Sequence, residues 1–218
     1  MRLLAIRVGP EGPAVAVLGG TRGPVARARP GARAEALAPL VAEALAEAGL
    51  GFGELQALAV STGPGGFTAC RAAVAAARAL ALATGLPVHA LSLLELAAES
   101  AREVLAAPFL VLAPAGRGEL AVQRFAAEGV ALGPVERLER AAASRLAAGG
   151  EPVVTIDLEA WDGPVALRLA SGVLPLARAA AARHGRGVAG LPGPAVRPLY
   201  LRPPDARPEA GRPLVVAG

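Results

Sequence analysis

Three short apolar runs separated by glycine turns open the chain, and nothing else in it limits the fold as much. "RLLAIRV" (Arg2 to Val8) predicts a strand, "GPEGP" a turn and "AVAVL" a second strand. "GGTRG" then turns the chain into "PVARAR", the third strand of a meander. In "AEALAPLVAEALAEAGL", Leu37, Leu40, Val41, Ala44, Leu45 and Ala48 recur at helical spacing. Pro39 belongs in the first turn of that helix, and Gly49 closes it. "ALAV" (Ala57 to Val60) is a short buried strand, an alanine-rich helix runs from about Thr68 to Thr84, and "PVHAL" is another strand. "SLLELAAESAREVL" starts a helix with Ser92 as N-cap and Glu95 at the capping-box position.

The resulting order, β-β-β-α-β-α-β-α, predicts an α/β half of the ribonuclease-H-like type. "PFLVLAPAGRGELAVQRF" then reads as a hairpin, Phe109 to Ala113 and Glu119 to Phe125, and "EPVVTID" as a later strand. The hairpin reads as the start of a second, shorter copy. Two tandem ribonuclease-H-like halves make the actin/Hsp70-like ATPase fold, here with the second half reduced. The expected division is a first lobe at 1–105 and a smaller lobe with a C-terminal segment at 106–218.

Composition narrows the function classes. With 218 residues, 54% of them apolar, the chain can bury a core and is not a disordered tail. No uncharged run reaches the roughly 18 residues of a membrane span, because even the alanine helix carries Arg71 and Arg78. "MRLLAIRVGPEGPAVAVLGG" lacks the continuous apolar block of a signal peptide, so a cytoplasmic protein without membrane contact is expected. Cys70 is the single cysteine, which excludes intramolecular disulfides. His89 and His184 are far apart in sequence and lack acidic neighbours, so no metal site is expected. All 22 basic residues are arginine, yet the net charge is only +4. Seven arginines follow from Arg178, against Asp205 and Glu209 alone. That segment reads either as a solvated tail and helix face or as a contact for RNA or an acidic partner.

The chemistry-bearing candidates are few. "STGPGGFTACR" joins a strand to the alanine helix, and Thr62, Gly63, Pro64, Gly65 and Gly66 form its turn. No lysine follows, so it is not a phosphate-binding Walker A loop, and it lacks the dinucleotide glycine spacing. Either the loop is a tight packed connection, or the helix N-terminus attracts an anion. On the helix, Arg71, Ala75, Arg78 and Leu82 share one strip, while nearly all the rest is apolar or small. A helix covering a sheet needs about a third of its circumference apolar, and this one has roughly double. Neighbouring helices bury the surplus, or a partner does. Where actin-like ATPases place an acid after the first strand, this chain has Arg7, Val8 and Gly9, and the second hairpin has Pro114. Ser61, Thr62, Ser92 and Cys70 are nucleophiles by type only. His89 on an apolar strand reads as a core residue before it reads as a base. Asp157, Glu159 and Asp162 around Trp161 read as a solvated acidic loop.

"STGPGGFTACRAAVAAARALALATGLPVHALSLLELAA" closely resembles the signature of the TsaB (YeaZ) family. That signature runs roughly Gly-Thr-Gly-Pro-Gly-Ser-Phe-Thr-Gly-x-Arg, then an alanine-rich helix and a Ser-x-Leu-Glu helix. "EALAPLVAEALAEAGL", "GRGELAVQRF" and "RPLYLRPPDA" fit the family's preceding helix, second hairpin and C-terminal segment. The resemblance is strongest from Leu58 to Ala98 and weaker from about Glu128 to Gly190. Departures are Arg7-Val8-Gly9 for the family's Asp-Thr-Ser turn and Arg33-Ala34-Glu35-Ala36 for its His-Ser-Glu-Arg. At the second hairpin, Pro114 to Ala121 replaces Asp-Ala-Arg-Arg-Gly-Glu-Val-Tyr. Each change removes polar groups that would support nucleotide binding.

The resemblance implies the two-lobed actin-like fold and a role in making threonylcarbamoyladenosine beside the anticodon of certain tRNAs. It implies a non-catalytic paralogue of TsaD that binds a TsaD-like transferase and helps recruit a TsaE-like ATPase, meeting tRNA only indirectly. Relatives are often labelled M22 peptidase-like after the fold. No cofactor is expected of the chain itself, and any nucleotide would sit at an interface shared with the partner. Together with the wide apolar helix, the resemblance places an interface on Leu37, Val41, Phe67, Thr68, Cys70, Ala73, Val74, Ala76, Ala77 and Leu80. A second copy about a two-fold axis is expected there when the partner is absent. The rival readings are a hydrolase or ATPase of actin-like fold and a direct tRNA-binding module.

Overall fold

In a computed structural model, residues 1–201 are described; Arg202 onward, with Asp205 and Glu209, lies outside them. The meander forms as expected: β1 (Leu3–Gly9), β2 (Gly12–Leu18) and β3 (Val25–Ala28) pair antiparallel. β4 (Ala57–Ser61) joins β1 in parallel, Leu3 beside Ala57, and β5 (Val88–Leu91) joins β4, giving the order β3-β2-β1-β4-β5. Leu3 to Ile6 of β1 is an unbroken apolar run because both faces of this sheet are covered. Leu4 and Ile6 face a core closed by α1 (Leu37–Ala48) and α2 (Phe67–Thr84), while Leu3 and Ala5 face the opposite core. Gly49 ends α1 and Gly85 ends α2, both in the left-handed conformation that glycine adopts without a steric penalty.

The second sheet repeats the first. β6 (Phe109–Gly116) and β7 (Glu119–Phe125) form the hairpin, β8 (Glu136–Glu139) flanks β7, β9 (Val153–Ile156) runs parallel to β6, and β10 (Leu167–Leu169) lies at the edge. The order β10-β9-β6-β7-β8 mirrors that of the first sheet. α4 (Arg140–Ala147) covers the outer face, where Leu110, Leu112 and Trp161 pack. The reduction takes a definite form. Where α2 links β4 to β5, an irregular segment without a helix links β9 to β10.

Two helices lie between the sheets and exchange sides. α3 (Leu93–Ala101) follows β5 but packs on β6, β7 and β9, whereas α5 (Val173–Gly185) follows β10 but packs on β1, β2, β4 and β5. One cluster therefore holds residues of both sheets, from Leu3 and Ala59 to Phe109 and Ile156. A cut in chain order at 105/106 separates the sheets but not their cores. Alanines at 5, 16, 57, 59, 113 and 121 line the inner faces and let the helices approach closely. The capping box opens α3 as expected: Ser92 N–H donates to Glu95 Oε2 at 2.8 Å, and Glu95 N–H donates to Ser92 Oγ at 3.1 Å.

Candidate functional site

The repeat brings two hairpin turns and two strand-end loops to one place, where they enclose a cleft of about 680 Å³. Arg7 to Glu11 and Gly63 to Gly66 line it from the first sheet, and Pro114 to Gly116 and Asp157 to Ala160 from the second. Arg7 spans it. Its Nη2 donates to Ser171 Oγ at 2.7 Å and lies 3.8 Å from Asp157 Oδ2, while Nη1 donates to Glu11 Oε2 at 3.2 Å. Gly9 makes room for this pair, since a Cβ there would meet Glu11 Oε2 at 2.5 Å and Arg7 Nη1 at 2.6 Å.

Asp157 lies in a solvent-exposed loop, as expected, but it is also tied to the cleft. It sits at φ 51° at the end of β9, accepts from Ser171 N–H at 2.7 Å, and also bonds Ser171 Oγ. Within that loop Trp161 turns inward: it is buried, with Arg140 over its ring. Glu159 and Asp162 are exposed like Asp157.

The residues of the cleft do not fit a magnesium-bound nucleotide. The first strand end presents a guanidinium, the second presents Pro114, and among the described residues no three His, Cys, Asp or Glu are grouped to hold a metal ion. Thr62 N–H donates to Leu91 O, Leu93 N–H to Gly63 O at 2.7 Å, and Leu199 N–H to Thr62 O. The glycine loop is therefore tied through Thr62 and Gly63 to the residues around Leu91 and to Leu199, just before its cis Gly63–Pro64 bond. Cys70 Sγ packs beneath it, 3.1 Å from where a Cβ on Gly63 would stand and 3.2 Å for Gly65, so a side chain at either position would need the sulfur to give by a few tenths of an ångström. Burial raises the Cys70 pKa above its ordinary value. Arg7, a neighbour the sequence did not reveal, pulls weakly the other way.

The two histidines, isolated in sequence, form a pair: His89 Nε2 lies 3.2 Å from His184 Nδ1, with the rings edge-on. Their separation in sequence hides this pairing, because β5 and α5 meet only in three dimensions. Burial, His184 and Arg183 lower the His89 pKa. Beside them Arg183 bonds Glu99 at 2.8 Å and Glu95 at 3.2 Å, and Arg186 bonds Glu99 at 2.5 Å, tying α5 to α3.

The expected interface set divides. Leu37, Val41, Cys70, Ala73, Val74 and Ala77 are buried in this chain's own core, and Ala76 and Leu80 are partly buried. Those six are corrected from outward to inward, since the sheet takes the larger residues of α1 and the i, i+3, i+4, i+7 stripe of α2. Phe67 and Thr68 do face outward. The exposed strip of α2 is Arg71, Ala75, Arg78 and Leu82, with Ala79 and Ala83, and Leu82 is 84% exposed. Arg71 lies over the Phe67 ring, which in turn contacts Tyr200 at 5.3 Å. α1 adds Ala38, Pro39, Ala42 and Ala46 as small exposed residues on the same side of the sheet. By length and composition α2 is also apolar enough to cross a bilayer, yet Ala73, Val74, Ala77 and Ala81 pack it into the core beneath.

Comparison with known proteins gives the class. Residues 30–147 match the family model described as TsaD, tRNA N6-adenosine threonylcarbamoyltransferase. The threonylcarbamoyltransferase of Maricaulis maris is 44% identical over 101 residues, 45% of this chain but only 26% of that protein. The chain thus spans about a quarter of the length of that relative. An uncharacterized protein of Mycobacterium tuberculosis is 34% identical over 182 residues, covering 82% of this chain and 79% of its own. YeaZ from Pseudomonas aeruginosa superposes with a TM-score of 0.71 at 26% identity, over 92% of this chain and 99% of that one. The chain belongs to the TsaD family and, within it, to the YeaZ (TsaB) branch, with the two-lobed actin-like fold.

Proposed function

We propose that this chain is a non-catalytic subunit of the machinery that makes threonylcarbamoyladenosine on tRNA. It docks a TsaD-like transferase through the α1–α2 side and helps recruit a TsaE-like ATPase. The observation that carries the reading is Arg7: the position where an actin-like enzyme needs a carboxylate holds a cation already paired to Asp157, Ser171 and Glu11. A family member arranged this way contributes shape and contacts, and the transfer chemistry belongs to the partner. Reconstitution tests it. Transferase, ATPase, tRNA, threonine, bicarbonate and ATP should yield modified tRNA only when this chain is added. The chain alone should neither hydrolyse ATP nor cleave peptides; metal-dependent turnover lost on a substitution in the cleft would replace this reading with an enzymatic one.

A further inference from the structure

We propose that the last turn of α5 is a proton-operated clasp between the two lobes, closed while His89 and His184 are neutral and opened when both take up a proton. α5 rests on the first sheet, yet both of its ends are tied to the second lobe. At its start, Ser171 bonds Asp157 at the end of β9. At its last turn, Arg183 bonds Glu95 and Glu99 of α3, and Arg186 bonds Glu99, while α3 packs on the second sheet. α5 is 13 residues long, so about 20 Å at 1.5 Å per residue separates the two ties. Both histidines of the chain stand at the second one.

The charges around the pair balance only while both rings are neutral. His89 is buried on β5 and meets His184 of α5 at 3.2 Å. α5 adds Arg183 and Arg186, and α3 adds Glu95 and Glu99, two cations against two anions. Arg178 of α5 is exposed, and Arg102 at the end of α3 donates to Glu128 O. β4 and residues 188–191, which pair with Val88, carry no charged side chain. In the neutral pair one ring donates and the other accepts. A first added proton still leaves one donor and one acceptor. A second leaves N–H facing N–H, so the bond breaks and two imidazolium charges stand beside two guanidinium groups. Glu99 and Arg183 are shielded from water, so salt screens this repulsion poorly. The backbone follows the side chains. Gly187 N–H donates to His184 O and Val188 N–H to Arg183 O, and Leu191 exchanges both backbone bonds with Val88, the neighbour of His89. Displacing the histidine and arginine side chains therefore frees residues 183–191 as a unit, while Arg7, Asp157 and Ser171 hold the other end.

Hydrogen exchange of the purified full chain, read by mass spectrometry and corrected for the intrinsic effect of pH, tests the clasp. From about pH 7.5 to about pH 5, the amides of residues 183–191 should lose protection by about tenfold or more, while those of β1 and β4 change little. His184→Gln alters an exposed ring and should fold as the wild type does. It should remove the pH response of residues 183–191, because the amide takes up no proton and its oxygen accepts from a protonated His89. Equal protection of residues 183–191 at the two pH values would overturn the proposal. So would a response that survives in His184→Gln. Loss of protection that reaches β1 and β4 at the same pH would overturn it as well, since the whole chain would then be unfolding in acid.

Discussion

Arg7 of the first lobe and Asp157 of the second approach to 3.8 Å across the cleft, and both bond the hydroxyl of Ser171. The cation belongs to β1 and the anion to the end of β9, so the two sheets are tied where their repeats converge.

Cutting that tie should cost stability without unfolding the chain. Arg7→Ala is expected to lower the unfolding free energy by about 1–2 kcal/mol, the range for hydrogen bonds to charged groups with partly exposed partners. Asp157→Asn should cost less, because an amide still bonds Ser171. A double-mutant cycle by urea denaturation should give a positive coupling; strict additivity would show that the two side chains do not interact.

The buried carboxylate between α3 and α5 is the more sensitive point. Glu99 is 7% exposed and accepts from both Arg183 and Arg186. Glu99→Ala leaves Arg183 with Glu95 alone and Arg186 with solvent, and should cost about 1.5–3 kcal/mol, the range for hydrogen bonds to charged groups. Adding Arg183→Met should recover part of that loss. Thermal unfolding of the two variants checks the order.

Acid should weaken the fold through His89. Its folded pKa lies below the ordinary 6.5, so below about pH 6.5 the unfolded chain takes up a proton that the folded chain refuses. The contribution is intact above that pH and is lost progressively as pH falls toward the folded value. His89→Leu should flatten the stability profile between about pH 6.5 and 5. An unchanged slope would assign the acid sensitivity to other groups.

Cys70 should be a slow thiol. It is 7% exposed beneath the glycine loop and its pKa is raised, so little thiolate is present near neutrality. Labelling with a disulfide reagent should lag far behind that of the urea-unfolded chain. Equal rates would mean that the loop opens readily.

Position along α2 should decide what a charge does. Ala77 is fully buried, and Ala77→Glu should unfold the first lobe. Leu82→Arg, on the outward strip, should change stability by no more than about 0.5 kcal/mol while impairing partner binding. Circular dichroism melts paired with pull-down of the transferase distinguish the two.

Local pattern carried the sequence reading a long way. The meander, the helix ends at Gly49 and Gly85 and the capping box of Ser92 and Glu95 all depend on neighbours within a few residues. Outward and inward on α2 were not legible, because alanine fits a core stripe and an exposed strip equally well. The strip of Arg71 and Arg78 was the available signal, and it marks solvent. The cleft was less legible still. His89 with His184 and Arg183 with Glu99 are joined by the passage of α5 over the first sheet, and Arg7 with Asp157 by the convergence of the two sheets. Nothing within any one of these segments announces either arrangement.

The exchange of α3 and α5 also sets a schedule for the ribosome. The first sheet is complete in the growing chain once Leu91 has emerged, but the helix that covers its inner face, Val173–Gly185, follows roughly 80 residues later, several seconds at about 5–20 residues per second. Throughout that interval the nascent chain displays a smooth alanine-lined surface. A trigger for misassembly is thus built into the order of synthesis, and a chaperone that shields the nascent chain has a defined face to hold until α5 arrives.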